Sequence, residues 1–141
     1  MPQDRSDLEG SSSNVLSKLR VLIIDDDKMI LAMVKQMLRR LGITQVFEAE
    51  DGSEGLAAFR NESNRINLII CDWQMPKMTG LAVLEQVRAA SPKLPFIMLT
   101  ATTSADAVRD AKSLSVDAYI AKPFSQNQLR QKLEALAKNV S

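Results

Sequence analysis

Four near-continuous apolar runs and a weaker fifth, separated by amphipathic segments, constrain what this chain can fold into more than any other feature. The strong runs cover residues 21–24, 68–71, 96–99 and 118–121, and the weaker one covers residues 45–49. An uninterrupted apolar run of this length describes a strand covered on both faces, the condition of a parallel sheet. Between the first two runs, Ile30, Leu31, Val34, Met37, Leu38 and Leu41 recur at helical spacing, and Gly42 stands where a helix would end. A second helix is expected from Asp51-Gly52-Ser53-Glu54, carrying Leu56 and Phe59. A third carries Leu81, Leu84 and Val87 and is closed by Ser91-Pro92. A fourth, weaker one carries Ala105, Val108 and Leu114, with Thr103 and Asp106 as a capping-box pair. The fifth repeats that pair at Ser125 and Gln128 and aligns Leu129, Leu133, Leu136 and Val140.

The alternation is (βα)5, an α/β fold. Right-handed crossovers place helices on both faces of a doubly wound sheet. Five strands wound in this way commonly take the parallel, flavodoxin-like order 2-1-3-4-5, and that order is the expectation here. The 141 residues, 45% hydrophobic and 25% charged, suit one domain with a sizeable core. Residues 1–17, with Ser11-Ser12-Ser13 and no periodicity, read as a flexible N-terminal tail ahead of a domain over 18–141. The alternative for their end is an additional helix from about Val15.

Composition removes several function classes. The net charge of +1 supplies no field for nucleic acid or an anionic membrane. One Cys excludes a disulfide framework, and the absence of His excludes His-based metal sites, Ser-His-Asp and Cys-His catalysis and a phosphohistidine on this chain. The polar start is not a signal peptide, and no apolar run approaches membrane-spanning length. The expected compartment is the cytoplasm, with neither nucleic acid nor membrane as partner.

The polar residues at the strand ends carry the chemistry. In a parallel sheet all strands end on one edge, where open α/β sheets hold their ligands. The first strand runs into Asp25-Asp26-Asp27, the third into Asp72, the fourth into Thr100 and the fifth into Lys122. With the order 2-1-3-4-5 these strands are consecutive neighbours, so Asp25, Asp26, Asp72, Thr100 and Lys122 converge on one cleft. Each has an ordinary reading alone: Asp27 caps the first helix, Lys122 is an exposed charge, Cys71 and Trp73 are packing residues. The joint pattern favours a site.

Like carboxylates 4 Å apart repel by about 4 kcal/mol at an effective dielectric near 20. Such a cluster must take up a proton, a cation or a positive side chain. An all-oxygen site suits Mg²⁺ or Mn²⁺, and Lys122 completes the charge balance. That site can accept a phosphoryl group, with Asp72 as nucleophile, Asp25 and Asp26 as metal-holders and Thr100 as a hydroxyl donor to a phosphoryl oxygen.

These residues resemble the response-regulator receiver domains of the CheY-like family over about residues 18–140. The resemblance is carried by Asp25-Asp26, by Cys71-Asp72-Trp73-Gln74-Met75-Pro76 with Met78 and Gly80, by Leu99-Thr100-Ala101, and by Tyr119 with Lys122-Pro123-Phe124. Glu48-Ala49-Glu50-Asp51-Gly52 is similar to the family's second strand and turn. The resemblance implies that Asp72 is phosphorylated from a phosphohistidine on a histidine kinase or phosphotransfer protein. It implies Mg²⁺ held by Asp25, Asp26, Asp72 and the backbone carbonyl of Gln74, and a cis Lys122–Pro123 peptide. Thr100 and Tyr119 would act as the switch pair. Val108, Tyr119, Ala121 and Lys132 would be exposed on the face that meets a downstream protein target.

The expected function is a single-domain response regulator of a two-component phosphorelay, with chemotaxis or motility as a candidate pathway. It would be a monomer or a weak phosphorylation-dependent dimer, and a switch with self-catalysed phosphotransfer rather than an enzyme. Trp73 and Ala101 resemble the chemotaxis members, whereas Ala105 departs from those that bind the flagellar switch. Thr79 and Ser115 also depart, standing where acidic or Asn residues and Gly are frequent. Gln74 and Thr102 occupy the positions that tune hydrolysis, and neither can serve as a base, so autodephosphorylation is expected to be slow. Two other readings stand beside this one: a relay intermediate passing its phosphoryl group to another histidine, and an Asp-nucleophile metal-dependent phosphatase. The second is disfavoured by Gln74, because that chemistry calls for a carboxylate two residues after the nucleophile.

Overall fold

A computed structural model describes residues 15–101, 116–138 and 140. The strands are β1 (Arg20–Ile24), β2 (Gln45–Ala49), β3 (Leu68–Asp72), β4 (Phe96–Thr100) and β5 (Ala118–Ala121). The helices are α1 (Lys28–Arg40), α2 (Gly52–Asn61), α3 (Gly80–Ala90) and a C-terminal helix (Gln126–Ala137). The strands form one sheet in the order β2-β1-β3-β4-β5, every neighbouring pair parallel, as the alternation predicts. The expected fourth helix, with Ala105 and Val108, lies outside the described residues, as do Thr102, Ser115 and residues 1–14.

Strand parity divides the core. Alternate side chains point to opposite faces, so Val21 and Ile23 of β1 join one cluster while Leu22 and Ile24 join the other. The first cluster contains Leu31, Val34 and Leu38 of α1 and Leu129 and Leu133 of the C-terminal helix. The second contains Leu56 and Phe59 of α2 and Val83, Leu84 and Val87 of α3. This is what right-handed crossovers require: the chain moves one way from β1 to β2 and the other way afterwards, so α1 and α2 fall on opposite faces. The central strands β3 and β4 are buried throughout, and the outer strands β2 and β5 are only partly so. Residues 15–17 are helical and Leu16, 2% exposed, joins the first cluster, ahead of the boundary expected at residue 18.

Local chemistry ends each helix. Beyond α1, Gly42 takes a φ of 90°. Its amide donates to Arg39 and that of Ile43 to Leu38, at 3.0 and 2.9 Å. This is a Schellman motif, with Ile43 and Leu38 packed in one cluster. Asp51 caps α2 and Thr79 caps α3, so the Thr that departs from the family pattern still serves as a cap. Ser125 and Gln128 form the expected capping box. Leu136 is only partly buried, and Val140 lies beyond the helix end.

Candidate functional site

The site is built at the strand ends, on the last residues of β3 and β4 and the first residues after β1 and β5, and the ladders continue one residue past the strands. The Asp25 amide donates to the Ala49 carbonyl (3.1 Å), the Trp73 amide to Leu99 (2.8 Å) and the Lys122 amide to Thr100 (2.8 Å). The sheet therefore fixes the backbone from which each functional side chain projects, and sites held by regular elements are more tightly positioned than sites on loops. Among the described residues the buried polar or charged side chains are Asp25, Asp72 and Thr100, and all three lie at this edge. Polar groups gathered at one place in an otherwise apolar interior mark where stability has been given up for chemistry.

Lys122 joins the two buried carboxylates. Its Nζ lies 3.0 Å from Asp25 Oδ2 and 3.1 Å from Asp72 Oδ1. The other oxygen of Asp25 accepts the amide of Asp27 at 2.9 Å. Asp26 stands exposed at the rim, and one carboxylate oxygen from each of Asp25, Asp26 and Asp72 lies within 4.8 Å of the others. A donor set of oxygens alone, this close, partly buried and open to solvent on one side, fits a hard divalent cation such as Mg²⁺.

Charge crowding is legible in the proton affinities. Burial, then the neighbouring Asp25 carboxylate, pushes Asp72 up to about 6, against the pull of Lys122. Burial also raises Asp25, offset in part by the Asp27 amide and by Lys122. Burial works against the Lys122 ammonium, but its hydrogen bonds to Asp25 and Asp72 hold it above the ordinary lysine value. One ammonium does not neutralise the cluster: two carboxylates still hold protons more tightly than free ones.

The sequence-predicted residues fall as follows. Asp25, Asp26, Asp72 and Lys122 come together, and Thr100 is buried at the adjacent end of β4. Lys122–Pro123 is cis, in line with the resemblance. Gln74 is exposed in the loop after Asp72, and Ala101 is exposed beside Thr100. Of the face expected to meet a partner, Ala121 and Lys132 are exposed. Tyr119 is a correction: it is half-buried, because its register partner is Met98 and it packs on the second cluster. Burial raises its phenol pKa. Cys71 is fully buried, and burial raises its thiol well above the ordinary range, in keeping with a packing role.

Two contributors escaped the sequence reading. Asp27 is the expected cap of α1, but the gift of its own amide to Asp25 is a separate contact, an Asx turn whose local signal is the Asp at the strand end. Gly80 lies against the peptide that joins Asp72 to Trp73. A Cβ there would stand 2.3 Å from the Asp72 carbonyl oxygen and 3.0 Å from Trp73 Cα, and the Gly80 amide donates to the Trp73 carbonyl at 2.7 Å.

Comparison with known proteins agrees with this architecture. A family model described as the response regulator receiver domain matches residues 21–134. The chain is 34% identical over 125 residues to the chemotaxis protein CheY of Pseudomonas aeruginosa, covering 87% of this chain and 99% of that protein. Among solved structures it resembles a CheY-like receiver domain protein of Methanospirillum hungatei (TM-score 0.80, 34% identity, covering 86% and 94% of the two chains). It also resembles chemotaxis protein CheY4 of Vibrio cholerae (TM-score 0.77, 34% identity, covering 83% and 97%).

Proposed function

Because this chain belongs to the response regulator receiver family, we propose that it is a phosphoacceptor switch of a two-component pathway, phosphorylated on Asp72. The observation that carries the reading is the bridge by Lys122 between buried Asp25 and Asp72, at 3.0 and 3.1 Å, within a cluster of three carboxylates. A bridge of that kind offsets part of the negative charge at rest and leaves an ammonium beside the place where a phosphoryl group would arrive.

In the proposed reaction an oxygen of Asp72 attacks the phosphorus of a phosphohistidine on a kinase or phosphotransfer protein. A P–O bond forms and the P–N bond breaks, with the electron pair leaving on the imidazole nitrogen. A carboxylate whose pKa is raised to about 6 is still mostly ionised at pH 7, and it is a more basic nucleophile than an ordinary Asp. Asp25, Asp26, Asp72 and the Gln74 carbonyl would hold Mg²⁺, which supplies positive charge to the phosphoryl oxygens when bound. Lys122 would pair with a phosphoryl oxygen, and the Thr100 hydroxyl would donate to another. Exposed Ala101 leaves the approach open to a bulky partner.

The output would be a change of protein-partner binding. Tyr119, half-buried on β5, can report the state of Thr100 because β5 pairs with β4 and Thr100 stands opposite Ala121. The near-complete coverage of the P. aeruginosa chemotaxis protein supports a stand-alone regulator acting in the cytoplasm, with chemotaxis or motility as the candidate pathway. Gln74, which cannot act as a base, supports an acyl phosphate lasting minutes or longer.

The test is incubation with acetyl phosphate and Mg²⁺, read by intact mass. The expected result is a gain of one phosphoryl group in the wild type and none in Asp72→Asn. No gain in the wild type rejects the reading. Repeated turnover of a phosphate ester would instead revive the phosphatase alternative, and transfer to a phosphotransfer domain faster than hydrolysis would favour the relay.

A further inference from the structure

The carboxylate segment between β1 and α1 is three residues long and pinned at both ends. At its start the Asp25 amide is held by the Ala49 carbonyl at 3.1 Å. At its end Asp27 takes an extended conformation, φ −94° and ψ 109°, and caps α1. Its Oδ1 accepts the amides of Met29 (2.8 Å) and Ile30 (3.4 Å), and its carbonyl accepts that of Leu31 (3.1 Å). That same residue turns its own amide back onto Asp25 Oδ1 at 2.9 Å, opposite the Lys122 ammonium on Oδ2 at 3.0 Å. Both oxygens of Asp25 are thus oriented, one by a cation and one by a backbone donor whose direction the cap sets. Asp26 is carried between the two pinned residues.

We propose that Asp27 is a positioning residue for the metal-holding carboxylates: by capping α1 it fixes the amide that orients Asp25 and the short segment that presents Asp26. The proposal rests on the reading that Asp25, Asp26 and Asp72 hold Mg²⁺. Asp27 holds no ion itself. Its carboxylate is engaged by the helix amides, and its effect on the site passes through the backbone. Asp27 is exposed, so substitutions there leave the core untouched.

Asp27→Asn and Asp27→Ala remove the same charge, but Asn caps a helix about as well as Asp and Ala does not. The difference between the two variants therefore reads the cap alone. Mg²⁺ is titrated into each protein and followed by heat of binding and by the fluorescence of Trp73, the sole tryptophan, which adjoins Asp72. Asp27→Ala is expected to bind Mg²⁺ about fivefold more weakly than Asp27→Asn, the scale of one lost helix cap. Its slower phosphorylation should return to the Asn level at saturating Mg²⁺. Equal Mg²⁺ affinities in the two variants, with the difference confined to their thermal midpoints, overturn the proposal. A wild-type protein without a saturable response to Mg²⁺ removes the metal-site reading itself, and this proposal with it.

Discussion

The two ends of the sheet are made by the same strands and behave in opposite ways. At the C-terminal edge, carboxylates are crowded together and two of them hold their protons more tightly than free acids. At the N-terminal edge, the charged and polar groups that join strand starts to neighbouring segments are matched. Asp117 accepts the Phe96 amide (2.8 Å) and pairs with Arg88 (2.9 Å), whose Nη1 also donates to the Leu94 carbonyl (2.7 Å). Asn67 accepts the Arg20 amide (2.6 Å) and donates to the Lys18 carbonyl (3.0 Å). One end closes the fold and the other stores unbalanced charge, so a loss at the first should cost stability while a loss at the second should relieve it.

The largest expected effect tests the closing end. Asp117→Ala deprives a partly buried Arg88 and the Phe96 amide of a partner at once, and about 3 kcal/mol of stability should be lost. Urea denaturation measures it, and a loss below about 1 kcal/mol would break the contrast. Phosphorylation at a temperature where the variant is folded should be little changed.

The opposite sign is expected at the other end. Folded Asp72 keeps its proton up to about pH 6, whereas an unfolded chain releases it near 3.9. Between these values the folded state binds more protons, so the contribution of Asp72 to the stability of the metal-free protein is fully present below about pH 4 and is lost as pH rises through 6. Asp72→Asn removes this dependence and should be more stable than wild type at pH 7 by about 2 kcal/mol. Paired urea curves at pH 4.5 and pH 7 would show it, and a wild type steadier at pH 7 than at pH 4.5, with no gain from Asn, would reverse the argument. Mg²⁺ at 100 times its dissociation constant should restore about 2.7 kcal/mol to the wild type and much less to Asp72→Asn.

The smallest effect separates the carboxylate cluster from the edge as a whole. Ser125 caps the C-terminal helix on the same edge, but its capping partners are the amide and side chain of Gln128. Ser125→Ala should lower stability by about 1 kcal/mol and leave Mg²⁺ affinity unchanged. A change in metal affinity would mean that the whole edge, and not the pinned carboxylate segment, sets the site.

The charged end was far more legible in the sequence than the closing end. Strand-end residues announce themselves because a parallel sheet sends every strand terminus to one edge, and several apolar runs ending in Asp, Thr or Lys mark that place jointly. Gly42 and the Ser125–Gln128 pair are legible for a similar reason: caps are local, and their partners lie within a few positions. The clasp of Arg88 with Asp117 joins residues 29 apart, and it exists only because β5 enters the sheet beside the start of β4. Its one sequence trace is an acid placed just before a strand, which is common in turns. The half-burial of Tyr119 is hard to read for a related reason, since exposure on an edge strand depends on which face the register assigns.

The contact of Gly80 with the Asp72 carbonyl bears on how this sequence can vary. Thr79 is exposed and needs only an oxygen that accepts the Ala82 amide, so Ser, Asp or Asn would serve there. One position later even a methyl group would meet the Asp72 carbonyl oxygen at 2.3 Å, and no rotamer can avoid a collision made by Cβ itself. In a library that samples every residue at both sites, selected for phosphorylation, position 79 should return a small set of capping residues and position 80 glycine alone. The tolerance of this loop should change abruptly between two adjacent codons.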